Sequence, residues 1–159
     1  MPIFKQGDIL DAKEDIIVHQ CNCVTSGSLG LATDIFNKFP GANTYKTRKE
    51  PSRPGTIDAI QLYSDFDSNP VGPFYIVNMY AQYRPGKSSN EPRSKWFYEY
   101  LEQLVYKIDR GDGGQSAITV AVPNKIGCGL AGGNWNVYLQ MLTDFEQRYP
   151  WIRLVIYTK

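Results

Sequence analysis

A glycine-rich segment constrains the fold of this chain more strongly than any other feature. Residues 127–132 read Gly-Cys-Gly-Leu-Ala-Gly; they follow the apolar run of residues 117–122 and precede a segment with helical spacing that begins at Asn134. A strand, a glycine loop and a helix in this order present backbone N–H groups to a phosphate. The sequence therefore predicts an α/β unit with an anion-binding loop at the end of a strand.

The dinucleotide-binding fingerprint has the same glycine spacing, but its position in a fold is different. Its glycines belong to the first strand-to-helix turn, and an acidic residue follows about 20 positions later. Here the glycines lie late in the sequence, and the next strand-like segment, residues 151–159, contains no acidic residue. A nicotinamide-dependent oxidoreductase is therefore the least favoured function.

Strand-like and helix-like segments alternate along the chain. Strands are predicted at residues 2–6, 16–19, 56–63, 74–81, 117–122 and 152–157. Helices are predicted at residues 31–39, from a cap at Asn90 through residue 108, and at residues 135–149, whereas the polar and basic residues 42–54 predict a solvated connection. This alternation indicates an α/β sheet covered on both faces.

Composition excludes several classes of protein. A chain of 159 residues suits one domain, and a net charge of +1 with interspersed acids and bases does not indicate a dedicated nucleic-acid surface. No stretch has the length of a membrane span, and residues 1–5 do not resemble a signal peptide. Three cysteines fit a reducing compartment better than a disulfide framework, so we expect a cytoplasmic location.

A second glycine-containing loop follows the predicted strand at residues 16–19. Gly27 and Gly30 allow a ligand to approach the backbone closely, although a tight turn also uses glycine. Ligands of α/β folds bind at the carboxyl ends of strands, so the two loops can hold a diphosphate from two sides. Asp8, after the first strand, is either a turn residue or an acceptor for an exocyclic amine such as that of adenine.

These elements, in this order, resemble the macro domain family. The matching segments are residues 7–9, residues 19–32 with Asn22, and residues 123–129, and the order of predicted elements fits over nearly the whole chain. The resemblance implies one α/β domain over residues 1–159, a three-layer α/β/α sandwich with a central mixed sheet of about six strands. It also implies that the ligand is ADP-ribose, bound without a cofactor.

The resemblance assigns a contact to each matching position. Asp8 would bind the adenine amine, the Ile9 backbone would contact the ring, and Tyr157 would lie against the adenine face, unless Tyr157 is a core aromatic. Asn22 would bind the distal ribose. Backbone N–H groups would hold the diphosphate, from Gly30, Leu31, Ala32, Ile126, Gly127, Cys128, Gly129 and Leu130.

The chain also departs from the family pattern. Many members carry Asn-Ala-Ala-Asn where residues 19–22 read His-Gln-Cys-Asn, so the chain looks more like the small branch that acts on ADP-ribose 1″-phosphate or on glutamate-linked ADP-ribose. The deglutamylating type uses a lysine nucleophile and an aspartate. The lysine position corresponds to Asn78 or Met79 in this chain, and the aspartate position corresponds to Ala131. That mechanism is therefore disfavoured.

His19 and Asn22 are the catalytic candidates. His19 is the only histidine and suits acid–base chemistry near neutral pH, although a histidine at a strand end is as readily structural. Asn22 would orient the water or hold the ribose. Cys128 is better explained as a small neutral residue beside the phosphates than as a nucleophile, and the spacing of His19, Cys21 and Cys23 does not make a convincing metal site.

The leading hypothesis is a domain that binds ADP-ribose and hydrolyses ADP-ribose 1″-phosphate to ADP-ribose and phosphate. Side chains at the end of the fourth predicted strand would line the distal end of the ligand, namely Tyr80, Gln82, Tyr83 and Arg84, with Arg84 available to pair with a phosphate. The alternatives are a non-catalytic ADP-ribose-binding module and a hydrolase that removes ADP-ribose from modified proteins, which would then be its partners.

Overall fold

A mixed six-stranded sheet forms the centre of the molecule. The computed structural model describes residues 1–63, 71–87, 91–108, 117–128 and 132–159. The strands lie in the order β1-β6-β5-β2-β4-β3, and all neighbours are parallel except β3, which is antiparallel to β4. Their bounds are β1 Ile3–Gln6, β2 Ile16–Asn22, β3 Ile57–Gln61, β4 Tyr75–Gln82, β5 Ile118–Pro123 and β6 Ile152–Thr158.

Helices cover both faces of this sheet. They are α1 Leu31–Lys38, α2 Thr44–Thr47, α3 Arg93–Ile108 and α4 Trp135–Arg148, and two 3-10 turns lie at Ile9–Asp11 and Pro40–Ala42. Apolar side chains of α1 and α2 pack on one face, and those of α3 and α4 form a separate core on the other. The predicted three-layer α/β/α sandwich with a mixed sheet of six strands is therefore confirmed. Within the ranges described, no helix is long and apolar enough to cross a membrane.

The second strand is longer than predicted. Residues 20–22 were expected in a loop, but β2 continues to Asn22, which is paired with Gln82 of β4 after a register shift at Cys21. His19 and Cys21 both pack into the core on the α1 side, so the strand keeps its alternation to its end. The predicted cap at Asn90 lies outside the described residues.

The prediction of a solvated connection at residues 42–54 fails at Ala42 and Tyr45, whereas residues 46–54 are exposed or half-buried. Ala42 and Tyr45 are completely or almost completely buried, and Tyr45 packs edge-on against Phe36 of α1 with ring centroids 5.2 Å apart. A single aromatic residue in a polar segment gives no periodic signal, because α2 is only one turn long. Ala42 and Tyr45 are thus part of the core beneath α1.

The two central strands β2 and β5 mark the point where the topology reverses. They are adjacent and parallel, yet the helix that follows β2 covers one face of the sheet and the helix that follows β5 covers the other. The loops that leave them must therefore diverge. A crevice at the carboxyl ends of two such strands is the usual ligand site of an open α/β sheet.

Candidate functional site

A cleft of about 490 Å³ opens where β2 and β5 end. This volume lies within the range of small-molecule sites, roughly 300–1,000 Å³. Three chain segments at the ends of β2, β4 and β5 line it, namely residues 19–32, 82–86 and 123–127, together with Tyr45 of α2. Among its described lining residues none is a carboxylate, and Lys125 is the one with an ammonium group, so the cleft suits an anionic ligand.

Six of the predicted ligand contacts line this cleft, namely Asn22, Gly30, Leu31, Ala32, Ile126 and Gly127. Four predicted contacts do not, and they are Asp8, Ile9, Cys128 and Tyr157. Gly129 and Leu130 lie outside the described residues, as does Ala131. The structure thus gathers the two predicted diphosphate loops but places the predicted adenine residues beyond the cleft.

The first loop ends at an uncapped helix. Gly30 precedes α1 with φ 60° and ψ −137°, a conformation that glycine adopts without strain, and no side chain among the described residues caps this end of α1. The first N–H groups of a helix have no acceptor within the helix. The backbone N–H groups of Leu31 and Ala32 are therefore suited to bind an anion in the cleft.

The second loop offers fewer donors than predicted. The Ile126 N–H donates to the Pro123 carbonyl and the Cys128 N–H to the Lys125 carbonyl, at 3.1 and 2.8 Å, so the turn itself uses them. Gly127 lies between them, and its N–H donates to no residue that the structure describes. We therefore take Gly127, rather than Ile126 or Cys128, as the donor that this part of the loop can offer.

Position 127 also requires a residue without a side chain. Its φ is +72°, and an added Cβ would lie 2.6 Å from Oε1 of Gln20 and 2.8 Å from Cε2 of Tyr138. At the helix after this loop, Asn134 caps α4 through its side chain, which accepts from the Asn136 N–H at 3.1 Å. That N–H is therefore occupied and not available to an anion.

Asn22 organises the beginning of the first loop. Its Oδ1 accepts hydrogen bonds from the backbone N–H groups of Val24 and Thr25, at 3.0 and 2.9 Å, and from the Thr25 hydroxyl at 3.0 Å. The Asn22 backbone N–H donates to the Tyr45 hydroxyl at 2.6 Å. Nδ2 of Asn22 donates to none of the described residues, so it is the atom of this side chain left for a ligand.

Two glutamine side chains lie side by side in the cleft lining. Gln20 Nε2 donates to Gln82 Oε1 at 2.8 Å, and the Tyr100 hydroxyl on α3 donates to Gln20 Oε1 at 3.4 Å. Gln82 was predicted near the distal end of the ligand, whereas Gln20 was not singled out. The amide pair connects β2 to β4 and to the helix layer behind them.

His19 is buried at the floor of the cleft. Its side chain is 1% exposed, its Nε2 lies 2.6 Å from Oδ1 of Asn78, and its ring packs edge-on against Phe36. Burial lowers the pKa of His19 to about 4, despite the hydrogen bond to Asn78, so the ring is neutral near pH 7. Because Asn78 Nδ2 donates to the Ala42 carbonyl, Asn78 presents its oxygen to the histidine, which makes His19 a donor through Nε2.

Asp8, Ile9 and Tyr157 form a separate group beside the cleft. Asp8 caps the first 3-10 turn by accepting from the Leu10 N–H at 3.0 Å and pairs with Lys159 at 3.1 Å, and the pKa of its carboxyl is lowered by these two partners. The Ile9 side chain is buried. Tyr157 is also buried, and its hydroxyl donates to Glu14, which fits the core role that the sequence left open.

This group remains connected to the cleft through the backbone. Asn124, which lines the cleft, donates its N–H to the Tyr157 carbonyl at 3.0 Å. Gly7 lies against the Tyr157 ring, since a Cβ there would be 3.8 Å from the ring edge. The backbone thus joins Asn124 in the cleft lining to β6, which carries Tyr157.

Cysteine and metal chemistry receive no support from the geometry. Burial raises the pKa of the Cys128 thiol, and α4 begins only at Trp135, so Cys128 does not occupy a helix N-terminus. Burial likewise raises the pKa of Cys21 and Cys23. In the part of the chain that is described, no group of three or more histidine, cysteine, aspartate or glutamate side chains is arranged to hold a metal ion.

The remaining residues at the end of β4 have structural contacts. The Tyr80 hydroxyl donates to Asp58 at 2.6 Å, and Tyr80 is buried on the α1 side. Backbone N–H groups of Tyr83 and Arg84 donate to the Glu91 carboxylate at 2.9 and 3.2 Å. Neither Tyr80, Tyr83 nor Arg84 lines the cleft, so Gln82 is the one of these four predicted residues that does.

Comparison with known proteins decides which fold this is. The chain superposes over its full length on 98% of the macrodomain of Mycobacterium tuberculosis DarG, with a TM-score of 0.76 and 25% identity. The chain has the macrodomain fold. Thermosipho africanus DarTG, solved in complex with ADP-ribose, matches 99% of the chain with a TM-score of 0.69 and 18% identity, and the chain covers 42% of that protein.

Sequence comparison alone is less informative about this macrodomain. An uncharacterized 17.5 kDa protein of Enterobacteria phage T4, from the tk-vs intergenic region, is 24% identical over 149 residues, which is 90% of this chain and 88% of the phage protein. No protein-family model matches the chain. The structural similarity therefore carries the assignment of the fold.

Several residues that line the cleft were not predicted from the sequence. The largest omissions are Gln20, Thr25, Tyr45 and Lys125. The spacing of Asn22 and Thr25 could have indicated Thr25, because asparagine side chains commonly accept from backbone groups two or three residues later. Tyr45 gives no such signal, since its contact with Asn22 joins residues that are distant in sequence.

Proposed function

We propose that this macrodomain binds ADP-ribose in the cleft between the loops that follow β2 and β5. The observation that carries the proposal is the pair of backbone donors at its two sides, the uncapped start of α1 at Gly30 and the free N–H of Gly127. Both loops use glycines at positive φ, which lets a diphosphate approach the main chain. The ADP-ribose complex of Thermosipho africanus DarTG, a protein of the same fold, supports this choice of ligand.

The remaining features of the cleft agree with that ligand. Lys125 adds a positive charge, the described lining adds no carboxylate, and Nδ2 of Asn22 is available for a ribose oxygen. We propose that the adenine end of the ligand extends past Asn124 toward Asp8, which would accept from the adenine amine. Lys159 already pairs with Asp8, so we expect the adenine contact to contribute less to affinity than the diphosphate contacts do.

A matched pair of glycine substitutions tests the location of the site. Gly27 lines the cleft and Gly41 does not, and an added Cβ at either position meets nothing within 4 Å. Gly27→Glu and Gly41→Glu therefore add the same charge at two open positions. We expect Gly27→Glu to weaken ADP-ribose binding about tenfold or more, because like charges repel across a partly desolvated cleft.

Isothermal titration calorimetry at fixed ionic strength measures this difference. Gly41→Glu should bind as the unmodified protein does. Absence of binding by the unmodified protein would refute the proposed function, and equal weakening by both variants would place the ligand outside this cleft.

Hydrolysis of ADP-ribose 1″-phosphate is the second proposal. It is supported by Lys125, whose ammonium group can pair with a phosphate monoester, and by the free amide of Asn22, which can orient a water. The described lining contains no carboxylate to accept the proton of that water, and His19 is buried with a lowered pKa. The geometry therefore favours binding over hydrolysis.

Phosphate release from ADP-ribose 1″-phosphate distinguishes an enzyme from a binding module. If the domain is a phosphatase that uses His19 and Asn22, release should be lost in both Asn22→Ala and His19→Gln while ADP-ribose still binds to His19→Gln. Absence of release from the unmodified protein identifies a binding module. Removal of ADP-ribose from modified proteins through a lysine at position 78 or 79 is not favoured, because neither Asn78 nor Met79 carries an amine that could form a Schiff base.

A further inference from the structure

Arg48 lies behind the first cleft loop and contacts it with both ends of its guanidinium group. Its Nη1 donates to the backbone carbonyl of Asn22 at 3.0 Å and to the Ser52 hydroxyl at 3.1 Å. Its Nη2 donates to Oδ1 of Asn22 at 3.2 Å and to the Thr25 carbonyl at 2.6 Å. Arg48 thus joins both ends of the short segment of residues 22–25, which lines the cleft.

The guanidinium group is itself held in place. It stacks over the ring of Tyr45, with its central carbon 4.4 Å from the ring centroid, and the Tyr45 hydroxyl accepts the backbone N–H of Asn22. The Ser52 N–H donates to the Cys23 carbonyl at 2.8 Å, which connects the residues after Arg48 to the same loop. A planar group with several fixed donors suits this arrangement, whereas a lysine ammonium at the end of a flexible stem does not.

The contact with Oδ1 fixes the orientation of the Asn22 amide. Oδ1 accepts from Arg48 in addition to the Val24 and Thr25 N–H groups and the Thr25 hydroxyl. Arg48 and the two backbone N–H groups can only donate, whereas the Thr25 hydroxyl also lies 2.8 Å from the Gly27 carbonyl, to which it can donate. A rotation that exchanged Oδ1 and Nδ2 would therefore set the amide N–H groups against three donors. Asn22 therefore presents Nδ2, a donor, to whatever occupies the cleft.

We propose that Arg48 is a positioning residue for the ligand, which orients the Asn22 amide as a donor toward an oxygen of ADP-ribose and keeps residues 22–25 in the binding conformation. The inference rests on the proposed ADP-ribose binding for its ligand. Arg48 does not contact the ligand itself and acts through Asn22 and Thr25. Its contribution is preorganisation, because the loop does not have to be ordered when the ligand binds.

The first test replaces Arg48 by a residue with the same charge. Arg48→Lys keeps the positive charge but not the planar set of donors, and Lys49→Ala changes an exposed neighbour as the matched control. In calorimetry, Arg48→Lys should bind ADP-ribose about tenfold more weakly, which corresponds to the loss of one hydrogen bond to a charged group. Lys49→Ala should bind normally. Equal affinities of Arg48→Lys and the unmodified protein would refute the proposal.

A second readout does not depend on the ligand. Backbone amide exchange, measured by NMR on the free protein, should be faster at Val24 and Thr25 in Arg48→Lys and unchanged at Val120 in the centre of the sheet. A uniform increase at all three positions would indicate general destabilisation and would contradict the proposal. If the unmodified protein does not bind ADP-ribose, the proposed function fails, and this exchange comparison still decides the role of Arg48.

A variant of Asn22 provides an independent test should Arg48→Lys fail to fold. Asn22→Asp keeps an acceptor for Arg48 and for the loop N–H groups but replaces the free donor by a carboxylate oxygen. We expect an unchanged or higher thermal midpoint together with at least a tenfold loss of ADP-ribose affinity. Undiminished affinity in Asn22→Asp would overturn the donor assignment.

Discussion

Because the chain has a single histidine, the contribution of that residue to the pH dependence of stability can be separated from all others. His19 is fully enclosed, and desolvation lowers its pKa from 6.5 to about 4 in the folded protein. Between these two values the unfolded chain binds a proton that the folded protein does not, so the free energy of unfolding falls as the pH falls from about 6.5 toward 4. The loss attributable to His19 is about 3 kcal/mol at most.

Urea denaturation of the unmodified protein and of His19→Gln at a series of pH values measures this loss. The carboxylates titrate in both proteins, so the difference between the two curves reports His19. The ring resonances of the one histidine should show no titration step near pH 6.5. A step there would contradict the buried, neutral state and would restore His19 as a candidate base for hydrolysis.

Residues whose role is local were predictable, and those that act across the fold were not. Gly30 and Gly127 follow strands and precede helices. The sequence alone therefore indicates that a ligand can approach the backbone closely at these two positions. Arg48 looks like one more exposed cation in a basic segment, because its partners Asn22 and Thr25 come from a distant part of the chain. Tyr157 was ambiguous for the same reason, since its partner Glu14 belongs to another element.

Among the secondary-structure elements, the one-turn helix α2 is the one whose contribution to stability is least evident from the sequence. Its Tyr45 fills the space beneath α1 and accepts the buried N–H of Asn22 at 2.6 Å. Tyr45→Phe keeps the ring but leaves that N–H without its acceptor, which should lower the free energy of unfolding by about 2 kcal/mol. Tyr106→Phe is the matched control, since Tyr106 is 84% exposed, and should change stability by less than about 0.5 kcal/mol.

Chemical denaturation of the two variants provides the comparison. If Tyr45→Phe is as stable as Tyr106→Phe, α2 is not the support for the first cleft loop that the contacts indicate. A fall in stability for Tyr45→Phe alone would show that the segment after α1 belongs to the core.

The strands and the three long helices were predictable to within a few residues because their apolar periodicity extends over several turns or pleats. β2 was predicted to end at residue 19, since Gln20 and Asn22 are polar and follow a short apolar run. They remain in the strand because their neighbours His19 and Cys21 pack into the core and because β4 continues beside them to Gln82. Tertiary pairing, which the sequence does not display, determines that boundary.

At the scale of the whole molecule, the position of the cleft follows from the strand order. β2 and β5 are neighbours in the sheet although they are far apart in sequence, and their following helices cover opposite faces. The two glycine loops therefore face each other across the cleft, which neither loop could form alone. The sequence predicts each loop, and the rule that ligands of open α/β sheets bind at the carboxyl ends of strands predicts that the two loops face one ligand.

Because two loops line this site, we expect a bound ligand to slow hydrogen exchange in both of them. ADP-ribose should slow hydrogen exchange both in residues 22–32 after β2 and in residues 123–128 after β5, because each loop contributes backbone donors. At a ligand concentration of about 100 times Kd, amides that exchange only from the ligand-free state should slow by about a hundredfold. The edge strand β3 contributes no residue to the cleft lining, lies at the opposite edge of the sheet from β1, and serves as the internal reference.

Hydrogen–deuterium exchange followed by mass spectrometry resolves these segments. Gly27→Glu should show at least about tenfold less protection in both loops at the same ligand concentration, while Gly41→Glu should respond as the unmodified protein does. Protection confined to one loop would contradict a diphosphate held between the two. The first loop alone would then hold the phosphates at the start of α1, and the requirement for glycine at position 127 would come only from its close approach to Gln20 and Tyr138.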